Sequence, residues 1–223
     1  DPDYSRAEYI FERGFPEELS LEDGLGLREL TRDPQCWSEV SRLSIKGPLF
    51  GRLRYLHQSP NLRGIRTLDL RYREVGNSGV AKIAESPHLR GLQSLNLEGN
   101  SIGDLGARSI ARSPNLTALT SLNLSCNRVQ HAGAEAIAAS PNFRGLVSLN
   151  LDSNRLFDSG AIAIANSDNL GALQSLSLGL TGIGAAGVSA LAHPRNLSAL
   201  RSLDLTCNPI GDAGACALAD SEN

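Results

Sequence analysis

Leu92-Gln93-Ser94-Leu95-Asn96-Leu97-Glu98-Gly99-Asn100-Ser101-Ile102 is a stretch that the chain writes again and again. The same order of apolar and small polar residues runs from Leu119 to Val129 and from Leu146 to Leu156, and more loosely from Leu173 to Ile183 and from Leu200 to Ile210. Counting back from Leu92 reaches Ile65, so starts fall at 65, 92, 119, 146, 173 and 200, each 27 residues after the last. A fixed period of this length marks a solenoid, in which each unit packs only on its neighbours and the core is a long thin stack.

Residue types divide the labour within a unit. The alternation in Leu95-Asn96-Leu97 predicts a strand with one buried and one open face, and stacked strands build a parallel sheet. Asn100, Asn127, Asn154 and Asn208 recur three residues later, where the chain must leave the sheet. A buried Asn there can satisfy backbone groups that the turn leaves unpaired. Pro48, Arg73 and Thr181 stand at the same position and predict irregular bends. A short helix such as Ala134-Glu135-Ala136-Ile137-Ala138-Ala139 follows, with Ile83, Ile110, Ile137, Ile164, Leu191 and Leu218 pointing inward. Ser-Pro then ends it, because proline cannot continue a helix. Strands need less lateral room than helices, so the sheet lines the concave side of a horseshoe.

Pro16 to Leu21 and Val40 to Ile45 fit the strand pattern too, giving two degenerate units, 16–39 and 40–64, before the regular series. The last of the resulting eight units is incomplete at Asp220-Ser221-Glu222-Asn223, where other copies read Ser-Pro-Asn-Leu, and a continuation is expected. In residues 1–15, Ala7, Ile10 and Phe11 at helical spacing predict a helical cap over the first unit's apolar edge, stopped by Gly14. With no methionine even at position 1, the chain reads as a piece of a longer protein.

The pattern L-x-x-L-x-L-x-x-N-x-L over residues 16–223 resembles the ribonuclease-inhibitor-like subfamily of leucine-rich repeats. Ser5-Arg6-Ala7-Glu8-Tyr9-Ile10 followed by Arg13-Gly14-Phe15 is similar to a short segment that accompanies such repeats in certain bacterial proteins. The resemblance implies an α/β leucine-rich repeat solenoid, a parallel sheet inside and helices outside, that binds other proteins through its concave face.

Composition narrows the function. The net charge of −3 hides an asymmetry: residues 1–33 carry −6, residues 34–91 carry +6 and residues 92–223 carry −3. A pI near 5.8 with few aromatics is poor provision for nucleic acid, so no nucleic-acid partner is expected. No transmembrane run is present, and no membrane partner is expected. Cys126 and Cys207 share a repeat position three units apart, about 14 Å at the usual strand spacing, beyond the reach of a disulfide. Free thiols and a reducing, cytoplasmic setting follow. His57, His88, His131 and His193 lie in four different units without metal-ligand spacing, and no nucleophile motif or phosphate loop occurs. Neither an enzyme nor a cofactor is expected.

The partner-binding candidates cluster in the basic stretch. Arg42, Lys46, Arg66, Arg71 and Arg73 fall on or beside three adjacent strands with Tyr72 among them, bordered by Asp69 and Glu98 on the concave columns. Arginine and tyrosine dominate interface hot spots, so this set is the candidate docking patch for an acidic protein partner. Two other readings stand beside it. Activators of Ran-type GTPases resemble this architecture, although the acidic tail and loop constellation they would need are not in the sequence. A structural spacer within a longer chain is the other.

Overall fold

The leucines that alternate at the head of each unit do form strands, and every strand pairs with the next in sequence. The structure, a computed structural model, describes residues 7–12, 15–21, 40–46, 49 and 53–221. Nine strands make one sheet in the order β1 (Ala7–Glu12), β2 (Phe15–Leu21), β3 (Arg42–Ile45), β4 (Thr67–Asp69), β5 (Ser94–Asn96), β6 (Ser121–Asn123), β7 (Ser148–Asn150), β8 (Ser175–Ser177) and β9 (Ser202–Asp204). From β2 onward the pairing is parallel, and Leu68, Leu95, Leu122, Leu149, Leu176 and Leu203 stand side by side across the last six strands. Each parallel crossover contains a helix where the chain is described: α1 (Leu53–Gln58), α2 (Gly76–Glu85), α3 (Asp104–Ala111), α4 (His131–Ala138), α5 (Phe157–Ala165) and α6 (Ala185–Ala192), with α7 (Gly211–Ala219) after the last strand. The molecule is a leucine-rich repeat solenoid with eight parallel strands.

The expected N-terminal helix is instead a strand. β1 runs antiparallel to β2, with Ala7 opposite Leu21 and Glu12 opposite Phe15. Tyr9, Ile10 and Phe11 are strong strand formers, and the outer side of β2 offers unpaired backbone groups that a helix could not satisfy. The other residues of the expected cap, 1–6 and 13–14, lie outside the described residues, as do 22–39 of the first degenerate unit.

The core is one continuous file of side chains. Leu70, Leu97, Leu124, Leu151 and Leu178 from the sheet meet Ile83, Ile110, Ile137, Ile164 and Leu191 from the helices, all buried. Leu218, expected in the same file, is only partly buried, as are Leu203, Leu205 and Ile210 beside it in the last unit.

Three kinds of side-chain contact bolt neighbouring units together. The turn asparagine spans the seam: Asn127 Oδ1 accepts the amides of Asn100 and Ile102 at 3.0 and 2.9 Å, while its Nδ2 donates to Leu97, Leu124 and Ser125 carbonyls. Asn100, Asn154 and Asn208 repeat this pattern. A serine forms the second bolt at the helix end, where Ser113, Ser140 and Ser167 donate to Ala84, Ala111 and Ala138 of the preceding helices. The third bolt starts the helix. Asn77, Asp104 and Asp158 each accept two amides from the next unit, Gly103 and Gly106, Gln130 and Gly133, Gly184 and Gly187. These are helix N-caps supplied by a neighbouring unit. The glycine of that pair is needed for space, since a Cβ on Gly133 would sit 2.7 Å from the Asp104 carboxylate.

Candidate protein-binding surface

Facing the concavity, strand residues and the two that follow each strand make regular columns. The column Asp69, Asn96, Asn123, Asn150 and Asp204 is not simply a row of free polar groups. Each side-chain oxygen accepts the amide two residues on, Arg71, Glu98, Ser125, Asp152 and Thr206, at 2.8–3.1 Å. Ser177 is too short for this, and the Gly179 amide turns instead to Asp152 of the previous unit at 2.6 Å. For the three asparagines the consequence is directional. With Oδ1 held by the backbone, Nδ2 of Asn96, Asn123 and Asn150 is left over as a donor at the same place on three adjacent strands, about 4.8 Å apart.

The eight residues singled out in the sequence do not form one free patch. Asp69 and Arg71 pair with each other: the guanidinium meets the carboxylate at 2.5–3.2 Å. That hydrogen bond, and the charge behind it, raise Arg71 above its already high pKa. Tyr72 has φ +57° and lays its ring on Gly99, whose added Cβ would strike it at 2.3 Å. Its hydroxyl donates to the Glu98 carboxylate. This bond, with a contribution from burial, pushes the phenol up to about 12. Cys126 adjoins the same hydroxyl, an association that no local sequence feature announced. Arg73 occupies the asparagine position and substitutes for it in part, donating Nε to the Ile45 carbonyl of the preceding unit at 2.5 Å.

Arg66 lies elsewhere. It sits where β4 begins, and its Nη1 donates to the Gly91 carbonyl at 2.9 Å. There it borders an open groove lined by Arg63, Pro87, His88, Arg90 and Gly91, on the rim where strands start. Burial, aided by the positive Arg63, lowers the His88 imidazole. Arg42 and Lys46 are exposed on and just after β3. The structure therefore joins Asp69 with Arg71 and Tyr72 with Glu98 as two adjacent hydrogen-bonded pairs, ties Arg73 to the backbone, and separates Arg66 from them.

Along the rim where strands end, one backbone position is left-handed in every regular unit: Tyr72, Gly99, Cys126, Ser153, Leu180 and Cys207 have φ of 54–66°. Only one of the six is glycine. Cys126, Cys207 and Cys216 are free and exposed. Among the described residues no group of three His, Cys, Asp or Glu side chains could hold a metal ion, and no helix is long and apolar enough to cross a membrane.

Comparison with known proteins agrees with this architecture. The family profile described as Leucine Rich repeat matches residues 88–111, 115–138, 146–165, 173–192 and 197–219, five of the regular units. Among solved structures, an internalin (inlF) from Listeria monocytogenes superposes with a TM-score of 0.54 at 22% identity, over 84% of this chain and 54% of that one. An internalin C2 (inlC2) from the same species gives 0.59 at 20% identity, over 93% of this chain and 78% of that one. The chain thus spans about half the length of the first of these internalins. Identities at this level speak to the fold alone. No curated protein matches the sequence.

Proposed function

We propose that the chain is a protein-binding scaffold of the ribonuclease-inhibitor-like type that receives its partner on the concave face. The observation that carries this reading is the donor file of Asn96, Asn123 and Asn150, whose orientation is fixed before any partner arrives. A preorganised surface loses little entropy on binding. Donors in a row suit a partner that presents carboxylates or carbonyls, and Arg42 on β3 and Lys46 just after it extend the surface with positive charge. The 27-residue unit with a true helix supports the subtype. The exposed free thiols support a reducing, cytoplasmic setting.

The test is affinity capture from the source lysate with three versions of the protein. Asn123→Asp keeps the oxygen that the Ser125 amide needs but replaces the donor by a negative charge. The pair Arg71→Ala and Tyr72→Ala removes the side chains singled out in the sequence. A partner captured by the parent and lost with Asn123→Asp supports the concave face. Equal recovery with all three versions removes it.

A further inference from the structure

One unit, residues 146–172, receives none of the three bolts from its neighbours, although its own Asn154 and Ser167 still reach the unit before it. Its turn at Asn154 to Leu156 has no asparagine across the seam, because Thr181 stands there and its hydroxyl bonds to Leu178 of its own unit and Asn208 of the next, not to the turn. Its helix α5 has no N-cap from the preceding unit, because His131 occupies the place that Asp104 and Asp158 hold elsewhere. Its helix end is met by the backbone amide of Arg195 at Ala165, since Pro194 replaces the serine.

At the same unit the chain places Phe157 in the left-handed region, φ +53°, as the first residue of α5. Glycine performs this role at Gly76 and Gly211, with φ of 60° and 58°. A β-carbon in this region costs about 1 kcal/mol. That cost secures only partial burial, for Phe157 is 52% exposed, one side of its ring resting on Gly182. Two residues before Gly182, Leu180 is likewise left-handed and 58% exposed. Beside them the rim column reads Glu74, Ser101, Arg128, Arg155: the two arginines are exposed, on adjacent units, and have no ion-pair partner among the described residues. The nearby Asp158 carboxylate is occupied by the Gly184 and Gly187 amides.

We propose that Arg128, Arg155, Phe157 and Leu180 form a docking surface on the strand-end rim for an acidic protein segment that carries an apolar side chain. The apolar side chain lies against Phe157 and Leu180, and flanking carboxylates meet the two guanidinium groups, which bind them bidentately. Charge complementarity with the two exposed guanidinium groups selects this occupant. The inference rests on the reading of the chain as protein-binding, not on the concave face being the site.

The probe is a fluorescein-labelled peptide of Asp and Glu around a central Leu-Phe pair, followed by fluorescence anisotropy. A control carries Ser for the apolar pair. Phe157→Gly is the decisive variant, because glycine adopts the same backbone conformation at two equivalent places, so the thermal midpoint holds or rises. Affinity is expected to fall by about tenfold or more. The pair Arg128→Glu and Arg155→Glu abolishes binding, and the serine control binds no variant. Unchanged affinity with Phe157→Gly, equal binding of the serine control, or no binding of the probe at millimolar concentration overturns the proposal. Loss with Asn123→Asp but not with Phe157→Gly also overturns it while leaving the concave face standing. Loss with both variants places the rim in a site continuous with the concavity and supports it.

Discussion

The unit at 119–145 and the unit at 146–172 share length, strand pattern and core, yet they are joined to their neighbours differently. In the first, Asn154 spans the seam at the turn, Asp104 caps the helix and Ser167 closes the end of the helix at Ala138. In the second all three side chains are replaced, by Thr181, His131 and Pro194. The core is the same in both, with Leu124 and Leu151, Ile137 and Ile164 fully buried. A unit therefore takes its place in the solenoid without the three bolts it would receive, held by its core, its strand pairing and the bolts it extends through Asn154, Asp158 and Ser167. The polar bolts set how firmly its turn is held, and where they are absent the chain carries an exposed aromatic in a conformation glycine prefers.

The largest effect should come from removing a complete bolt. Asn127→Ala leaves two amides and up to three carbonyls at the seam without their partner. Each buried backbone group left unpaired costs about 1 to 3 kcal/mol, less where water can enter. Because Asn127 is half-buried, a loss of about 3 kcal/mol is expected in chemical denaturation. A loss under about 1 kcal/mol would mean that water replaces the side chain at little cost and that the contrast between the seams is cosmetic.

A smaller loss is expected at the helix starts. Asp104→Ala removes the cap of α4 and should cost about 1 kcal/mol, whereas His131→Ala, at the same position of the next unit, should leave the denaturation midpoint unchanged. Equal losses from both would show that position 131 supports α5 by some route other than a cap.

The fold was legible in the sequence because packing repeats with the period. Strand, turn, helix and stop each rest on residue types that recur every 27 positions, and those positions became β4 to β9 and α2 to α7. The N-terminal segment was misread because six residues with Ala7, Ile10 and Phe11 satisfy a helical spacing while Ala7, Tyr9 and Phe11 satisfy an alternating one. Only the open edge of β2 decides between them. The candidate site was less legible. The sequence places Arg66, Arg71 and Arg73 within eight residues, but strand geometry sends Arg66 to the strand-start rim and the turn draws Arg73 into backbone hydrogen bonds. The helix caps had a signal, Asn77, Asp104 and Asp158 at multiples of the period, which is read only when each column is asked what it does for the neighbouring unit.

The contrast can also be removed by repair. Thr181→Asn should restore the missing turn bolt, since an asparagine there reaches the Asn154 and Leu156 amides as Asn127 and Asn208 reach theirs, and still donates to the Leu178 carbonyl. A gain of about 1 kcal/mol is expected. Reduced hydrogen exchange at residues 154–157 would place the gain at the seam. No gain with unchanged exchange would show that the turn is already satisfied by other means.

The smallest effects test the concave face, where two carboxylates are shifted in opposite directions. Burial, with the negative Asp204 nearby, raises Asp152 even though the Gly179 amide opposes the shift. The Thr206 amide and hydroxyl lower Asp204. A raised carboxyl favours folding while protonated, and that contribution is lost as pH climbs through its folded-state value. A lowered one favours folding while ionised and loses that contribution as pH falls. Asp152→Asn, which keeps an oxygen for the Gly179 amide, should therefore raise the thermal midpoint at neutral pH and make no difference in acid, where the parent is protonated. Asp204→Asn should lower the midpoint at neutral pH, and the loss should vanish in acid. Midpoints that move the same way at neutral pH would mean that Asp152 is held by the Gly179 hydrogen bond more strongly than it is disfavoured by burial. The concave face beside the rim would then be wetter than the packing of Gly179 between Asp152 and Thr206 implies.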